Sequence, residues 1–89
     1  MLFTMSAVLK ELITIRNGAV EQHNFDDYDV LRIPETPALE TYFVENHDPP
    51  HGLGEAAVWL TGPAIANAIY AATGKRLRRM PLRMDEVSV

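Results

Sequence analysis

Residues 61–74 read TGPAIANAIYAATG, and this stretch decides how the chain is to be read. Thr61 suits an N-cap, Pro63 the first turn of a helix, and Gly74 the position just past its end. Between them Ile65, Ala68, Ile69 and Ala72 form one apolar stripe. Ala64, Ala66 and Ala71 lie off that stripe, so the helix is apolar on almost every side. A helix of this kind belongs in an interior. The chain has 89 residues, and a domain of that order buries only about 60% of the surface its unfolded chain exposes. It can hardly surround such a helix, so a larger body is expected around it.

Outward from Gly74 the sequence becomes basic. Five of the eight Lys and Arg residues fall at positions 75, 76, 78, 79 and 83. No aromatic side chains are interleaved for base stacking, and the whole chain carries a net charge of −4, so nucleic acid is not an expected partner. Cations just past a helix C-terminus also suit the helix dipole. The strip reads as solvated or facing another subunit.

Toward the N-terminus, HDPPHGLG at 47–54 holds two prolines and two glycines in eight residues and reads as a loop. Before it, LETYFVEN alternates Leu39, Thr41 and Phe43 against Glu40, Tyr42 and Val44, a strand pattern. NFDDYDVLRIPETP, residues 24–37, reads as extended chain with a turn near Pro34 and Pro37, its acids forming a solvated turn. ELITIRNGAVEQH, residues 11–23, is a β-hairpin. Asn17-Gly18 is the preferred pair for a type I′ turn, because both central residues need φ > 0. That turn sets Ile15 opposite Val20 and Thr14 opposite Glu21, with strands near 12–16 and 19–23 and one apolar face for burial. Residues 2–10 read as a helix. The expected class is α+β: an N-terminal helix, a hairpin, an additional strand, a buried C-terminal helix and an extended tail. Residues 1–89 make one domain or a domain fragment.

Composition removes several functions. With no cysteine, disulfides, thiolate zinc sites and cysteine nucleophiles are excluded. No apolar run reaches the roughly 18 residues that span a membrane, and MLFTMSAVL lacks the basic start and cleavage site of a signal peptide. His47, Asp48 and His51 fall within five residues, but zinc needs four ligands in fixed geometry, so no metal site is expected there. Trp59 reads as a packing anchor in preference to a substrate contact.

The remaining motif is HGLGE at 51–55. Gly52 and Gly54 permit unusual backbone angles and close approach of a ligand. A carboxylate, Glu55, follows at once beside an apolar helix. Proton abstraction wants a carboxylate held rigidly and partly dried. By spacing alone, a plain loop glutamate remains the simpler reading.

Taken together, HGLGEAAVWLTGPAIANAIYAATGKRLRRMPL resembles the C-terminal signature of molybdenum hydroxylase large subunits. This is the xanthine dehydrogenase and aldehyde oxidase family, and the likeness is closest to its isoquinoline 1-oxidoreductase-like branch. The shared features are Gly52-Leu53-Gly54-Glu55, the helix from Pro63 to Gly74, and the Lys75 to Leu82 ending. Upstream, SAVLKELITIRNGAVEQHNFDDYDVLRIPETP resembles the family's helix, hairpin and following stretch. The residues after the family's glutamate are often proline-rich; here they are Ala56 to Gly62. Family subunits are several hundred residues long, and Met1-Leu2-Phe3 falls within a helix that they continue upstream. The chain is therefore expected to be a fragment, a truncated reading frame or a detached domain.

The resemblance implies hydroxylation of an aldehyde or an aromatic N-heterocycle, with water supplying the oxygen. It makes Glu55 the general base, with Gly52 and Gly54 shaping the turn at the cofactor. The implied cofactor is molybdenum–molybdopterin in the intact enzyme, not on this chain alone. The implied partners are the remainder of the large subunit, an iron–sulfur subunit and a small-molecule substrate, with no membrane, in the cytoplasm or, for the assembled enzyme, the periplasm. The alternative is a standalone, non-enzymatic module that binds a protein through helix 63–73.

Overall fold

The computed structural model describes residues 1–87. In chain order it contains helix α1 (Leu2–Leu9), strands β1 (Ile15–Arg16) and β2 (Ala19–Val20), a 3-10 turn at Ile33–Glu35, helix α2 (Val58–Thr73) and a 3-10 turn at Met84–Glu86. The α+β class expected from sequence holds, with one antiparallel two-stranded sheet among the described residues.

The hairpin forms where Asn17-Gly18 places it. Both residues take positive φ, 52° and 77°, as a type I′ turn requires. Ile15 pairs with Val20 and Arg16 with Ala19. One step further out, the Glu21 amide donates to the Thr14 carbonyl at 2.9 Å. The ladder is shorter than expected because side chains replace it. The Thr14 amide donates to Gln22 Oε1 at 2.9 Å, and the Thr14 hydroxyl to Glu21 Oε2 at 2.6 Å. The apolar face is not buried either: Ile15 and Val20 are both exposed.

α1 is the hub of what core there is. Val8, Ile69, Leu77 and Leu82 are the buried apolar residues, with Leu9, Ile65, Ala66 and Val87 packed around them. A helix's last carbonyls have no partner within the helix, and the tail supplies one. The Leu82 amide donates to the Val8 carbonyl at 2.7 Å, which brings the tail across α1. The buried Ser6 hydroxyl accepts the Leu31 amide at 2.9 Å, which ties down the middle segment. Lys10, at the end of α1, pairs with Glu35 and, at 3.5 Å, with Asp29.

α2 runs longer than the sequence suggested. Thr61 is not its cap; the helix starts at Val58, with Ala57 as N-cap and Pro63 inside. The chain is already wound by the turn ahead of it, where the Val58 amide reaches the Glu55 carbonyl at 3.1 Å. The Thr61 hydroxyl instead donates back to the Ala57 carbonyl at 2.6 Å. Pro63 forfeits one helical bond, to the carbonyl of Trp59, an exposed residue that water can reach. Gly74 ends the helix as expected, with φ 73° and its amide on the Tyr70 carbonyl at 2.8 Å. Gly62 lies where α2 crosses α1. A Cβ there would stand 2.8 Å from the Met80 methyl and 3.6 Å from Val8 Cγ2.

Two expectations fail. Residues 39–46 form no strand: the alternation is present, but among the described residues no other strand lies beside it, and Tyr42, Phe43 and Val44 are exposed. Nor is the C-terminal helix buried. Within α2 only Gly62 and Ile69 are buried, while Trp59, Leu60 and Tyr70 face outward. The premise was right, since this chain has too little mass to enclose the helix. Among the described residues twenty large hydrophobic side chains are exposed against four in the core, so most apolar surface stays bare. The Cα radius of gyration, 16.2 Å, also exceeds the roughly 12 Å of a compact domain of this length. No helix among the described residues is long and apolar enough to cross a membrane.

Two tests follow from these contacts. Gly18→Ala should lower the stability read by urea unfolding by about 1 kcal/mol, because a Cβ resists positive φ; an unchanged midpoint would count against the type I′ turn. The second concerns pH. Hydrogen bonds from Lys10, then from the Arg32 amide, hold the Glu35 carboxyl below its ordinary 4.5. The Asn24 and His23 amides do the same for Asp27, ordinarily 3.8. The bond to Glu35, foremost, raises Lys10 above 10.5. The carboxylates' contribution is whole above their ordinary values and is lost as pH falls through the lowered ones. The lysine's is whole below 10.5 and is lost as pH rises through the raised one. The urea midpoint should therefore be flat near neutrality and fall at both ends, with a shallower acid limb in Glu35→Gln.

Candidate functional site

Glu55 sits in the turn that feeds α2, three residues ahead of Val58. The turn is held by its own backbone, with the Ala56 amide on the Leu53 carbonyl at 3.4 Å and the Val58 amide on the Glu55 carbonyl at 3.1 Å. A carboxylate just before a helix start lies at the favourable end of the helix dipole. Glu55 is exposed, and among the described residues no hydrogen bond or ion pair engages its carboxylate. The expected drying is not supplied by this chain's own atoms.

The glycines act differently from the sequence expectation. Neither Gly52 nor Gly54 has positive φ. A Cβ added to either would meet nothing within 4 Å. Their effect is absence of bulk: with Glu55, Ala56 and Trp59 they line an open hollow of about 400 Å³.

Trp59 is the residue that sequence reasoning misplaced. Taken as a packing anchor, it is 75% exposed and shares the hollow with Glu55. Its closeness in sequence to Glu55, at the start of the helix that the Glu55 turn feeds, is the signal that was available.

The other candidates do not converge on Glu55. His47, Asp48 and His51 lie on an exposed loop, where the Asp48 amide is held by Asn46 Oδ1 at 2.9 Å. Among the described residues no group of three or more His, Asp or Glu side chains is placed to hold a metal. In the basic strip, Arg76 folds back on α2, 4.2 Å over the Tyr70 ring and donating to Asn67 Oδ1 at 2.7 Å.

The hollow does not fit a molybdopterin group by itself. It offers one carboxylate, three residues with little or no side chain and an indole, and it is open to solvent. Holding a charged, phosphate-bearing cofactor takes convergent donors and enclosure.

No protein-family model matches the chain. Individual proteins do. The chain is 43% identical over 97% of its length to a protein of Gluconacetobacter polyoxogenes named as a membrane-bound, pyrroloquinoline-quinone aldehyde dehydrogenase, of which the match covers 11%. It is 39% identical over 92% of its length to a nicotinate dehydrogenase subunit of Pseudomonas putida, covering 7% of that protein. It is 34% identical over 89% of its length to the beta subunit of isoquinoline 1-oxidoreductase of Brevundimonas diminuta, covering 10%. Molybdenum-binding subunits of an aldehyde oxidoreductase and a xanthine dehydrogenase of Escherichia coli are similar as well. The chain thus spans about a tenth of the length of the curated relatives it matches.

The open space at the two glycines gives a direct test. Gly52→Ala and Gly54→Ala should each leave the unfolding free energy of the chain, read by urea, within about 0.5 kcal/mol of the parent, the usual range for a surface change without strain. A loss of more than about 1 kcal/mol at either would mean that the turn needs the glycine backbone itself.

Proposed function

We propose that this chain, a segment of the family of molybdenum-binding subunits found in xanthine dehydrogenases and aldehyde oxidoreductases, carries the catalytic base of such an enzyme. The reaction is hydroxylation of an aldehyde or an aromatic N-heterocycle, with water as the oxygen source. The observation that carries the reading is Glu55: a carboxylate without a partner among the described residues, fixed by a backbone-held turn at the lip of an open hollow.

Glu55 takes the proton from the water-derived nucleophile as its oxygen attacks the electron-poor carbon; the C–H bond there breaks with its electron pair, and the molybdenum group would supply that two-electron oxidation. An unpaired carboxylate suits this role, because no cation competes for the oxygen that receives the proton. Gly52 and Gly54 keep side chains out of the approach. The apolar surface of α2 is the wall against which the rest of the protein closes, excluding water and strengthening every charge interaction inside. Residues 1–89 are the C-terminal part of a molybdopterin-binding domain. The molybdenum–molybdopterin group is held by other parts of the assembled protein, which includes the remainder of the large subunit and an iron–sulfur subunit. Molybdenum is preferred to the quinone in one relative's name because several relatives are named as molybdenum-binding and because the Gly-x-Gly-Glu resemblance belongs to that family.

The outward-facing Trp59, Leu60 and Tyr70 also support a second reading, a non-enzymatic module that binds a protein partner through α2. Gel filtration and molybdenum analysis separate the two. A metal-free, well-folded monomer with a defined protein partner would favour the module.

In an intact subunit carrying this segment, Glu55→Gln should lower turnover by at least about two orders of magnitude with molybdenum content unchanged, since glutamine keeps size but accepts no proton. Glu45→Gln and Asp48→Asn, which precede the glycine-framed turn, should have little effect. The 89-residue chain alone should bind no molybdopterin and oxidise neither substrate class. Near-normal turnover by Glu55→Gln at full molybdenum occupancy would remove the assignment.

A further inference from the structure

We infer that Trp59 is the stacking platform that selects flat aromatic substrates, an inference that rests on the reading of Glu55 as the base. Trp59 is 75% exposed and lies in the same hollow as Glu55. It occupies the first turn of α2, just after the turn that carries Glu55, and both residues line that hollow. The rest of the lining is Gly52, Gly54 and Ala56. Nothing bulky therefore competes with the indole for one face of a planar guest.

The chemistry of the hollow fits a particular guest. An N-heterocycle that undergoes hydroxylation is electron-poor, and indole is electron-rich, so offset stacking between them is favourable. The stack would hold the ring plane beside Glu55, which lines the same hollow. A small aliphatic aldehyde has no ring to stack and gains nothing from the indole. Trp59 is thus a specificity-determining residue, and its effect belongs in substrate binding rather than in proton transfer.

The test uses an intact subunit carrying this segment, with isoquinoline and propanal as substrates. Aromatic stacking is worth up to about tenfold in affinity. Trp59→Leu should raise KM for isoquinoline about five- to tenfold, leave its kcat within about twofold, and leave kcat/KM for propanal unchanged. Trp59→Phe should recover most of the loss. The Kd of isoquinoline, measured calorimetrically on cofactor-free protein, should weaken by the same factor. Equal losses for both substrates, or unchanged KM and Kd for isoquinoline, overturn the inference. If Trp59→Leu fails to fold, Trp59→Phe and Trp59→Tyr decide: isoquinoline KM that does not depend on the ring supplied overturns it. Glu55→Gln separates this claim from the one beneath it. Loss of turnover with an unchanged isoquinoline Kd supports both, whereas full turnover in Glu55→Gln removes the base and leaves the Trp59 measurements standing.

Discussion

The structure depends on the last two turns of α1. Val8 gives its side chain to the small core with Ile69, Leu77 and Leu82, and its carbonyl to the Leu82 amide at 2.7 Å. One residue thus joins α1, α2 and the tail. Two positions earlier, Ser6 anchors the segment at Leu31 through its hydroxyl. Removing this node would leave a hairpin, a helix and two irregular segments with little to hold them together. Such a core leaves little margin over a backbone entropy of roughly 1–2 kcal/mol for each ordered residue. The extended shape, 52 × 34 × 25 Å, is the geometric counterpart of that narrow margin.

The parts of the fold legible in sequence are those set by local chemistry. Asn17-Gly18 encodes its turn by the positive φ that both residues tolerate, and Gly74 encodes the helix end in the same way. The parts that were not legible depend on what lies alongside. Residues 39–46 have the alternation of a strand, yet a strand exists only beside another, and the hairpin is elsewhere. Pro63 suggested a helix start, but the turn at 54–57 had already wound the chain, and one forfeited bond was not enough to stop it. The same holds for the site. The position of Glu55 ahead of the helix was readable from the glycines and the proline. The reason for the glycines was not, because open space around a Cβ is a property of the folded surface. Trp59 was misread for a related reason: size and hydrophobicity predict burial, and the chain leaves it uncovered.

Bare surface and free carboxylate form one picture. A turn held by its own backbone presents Glu55 without a competing cation among the described residues, and α2 carries an apolar face for which this chain has no cover. Both features are costly or useless for an isolated module and are accounted for by assembly into a larger body. The similarity to enzymes about ten times as long points the same way. Proton transfer needs a dry, enclosed carboxylate, and closure of other parts of the protein over α2 would supply the enclosure that the hollow lacks.

An experimental structure of an assembled subunit carrying this segment measures that claim directly. The account predicts that the Glu55 carboxylate lines the reaction cleft, shielded from bulk water, with the outward face of α2 covered by other parts of the protein. A Glu55 carboxylate on the outer surface, with Leu60 and Tyr70 still facing solvent, would contradict it.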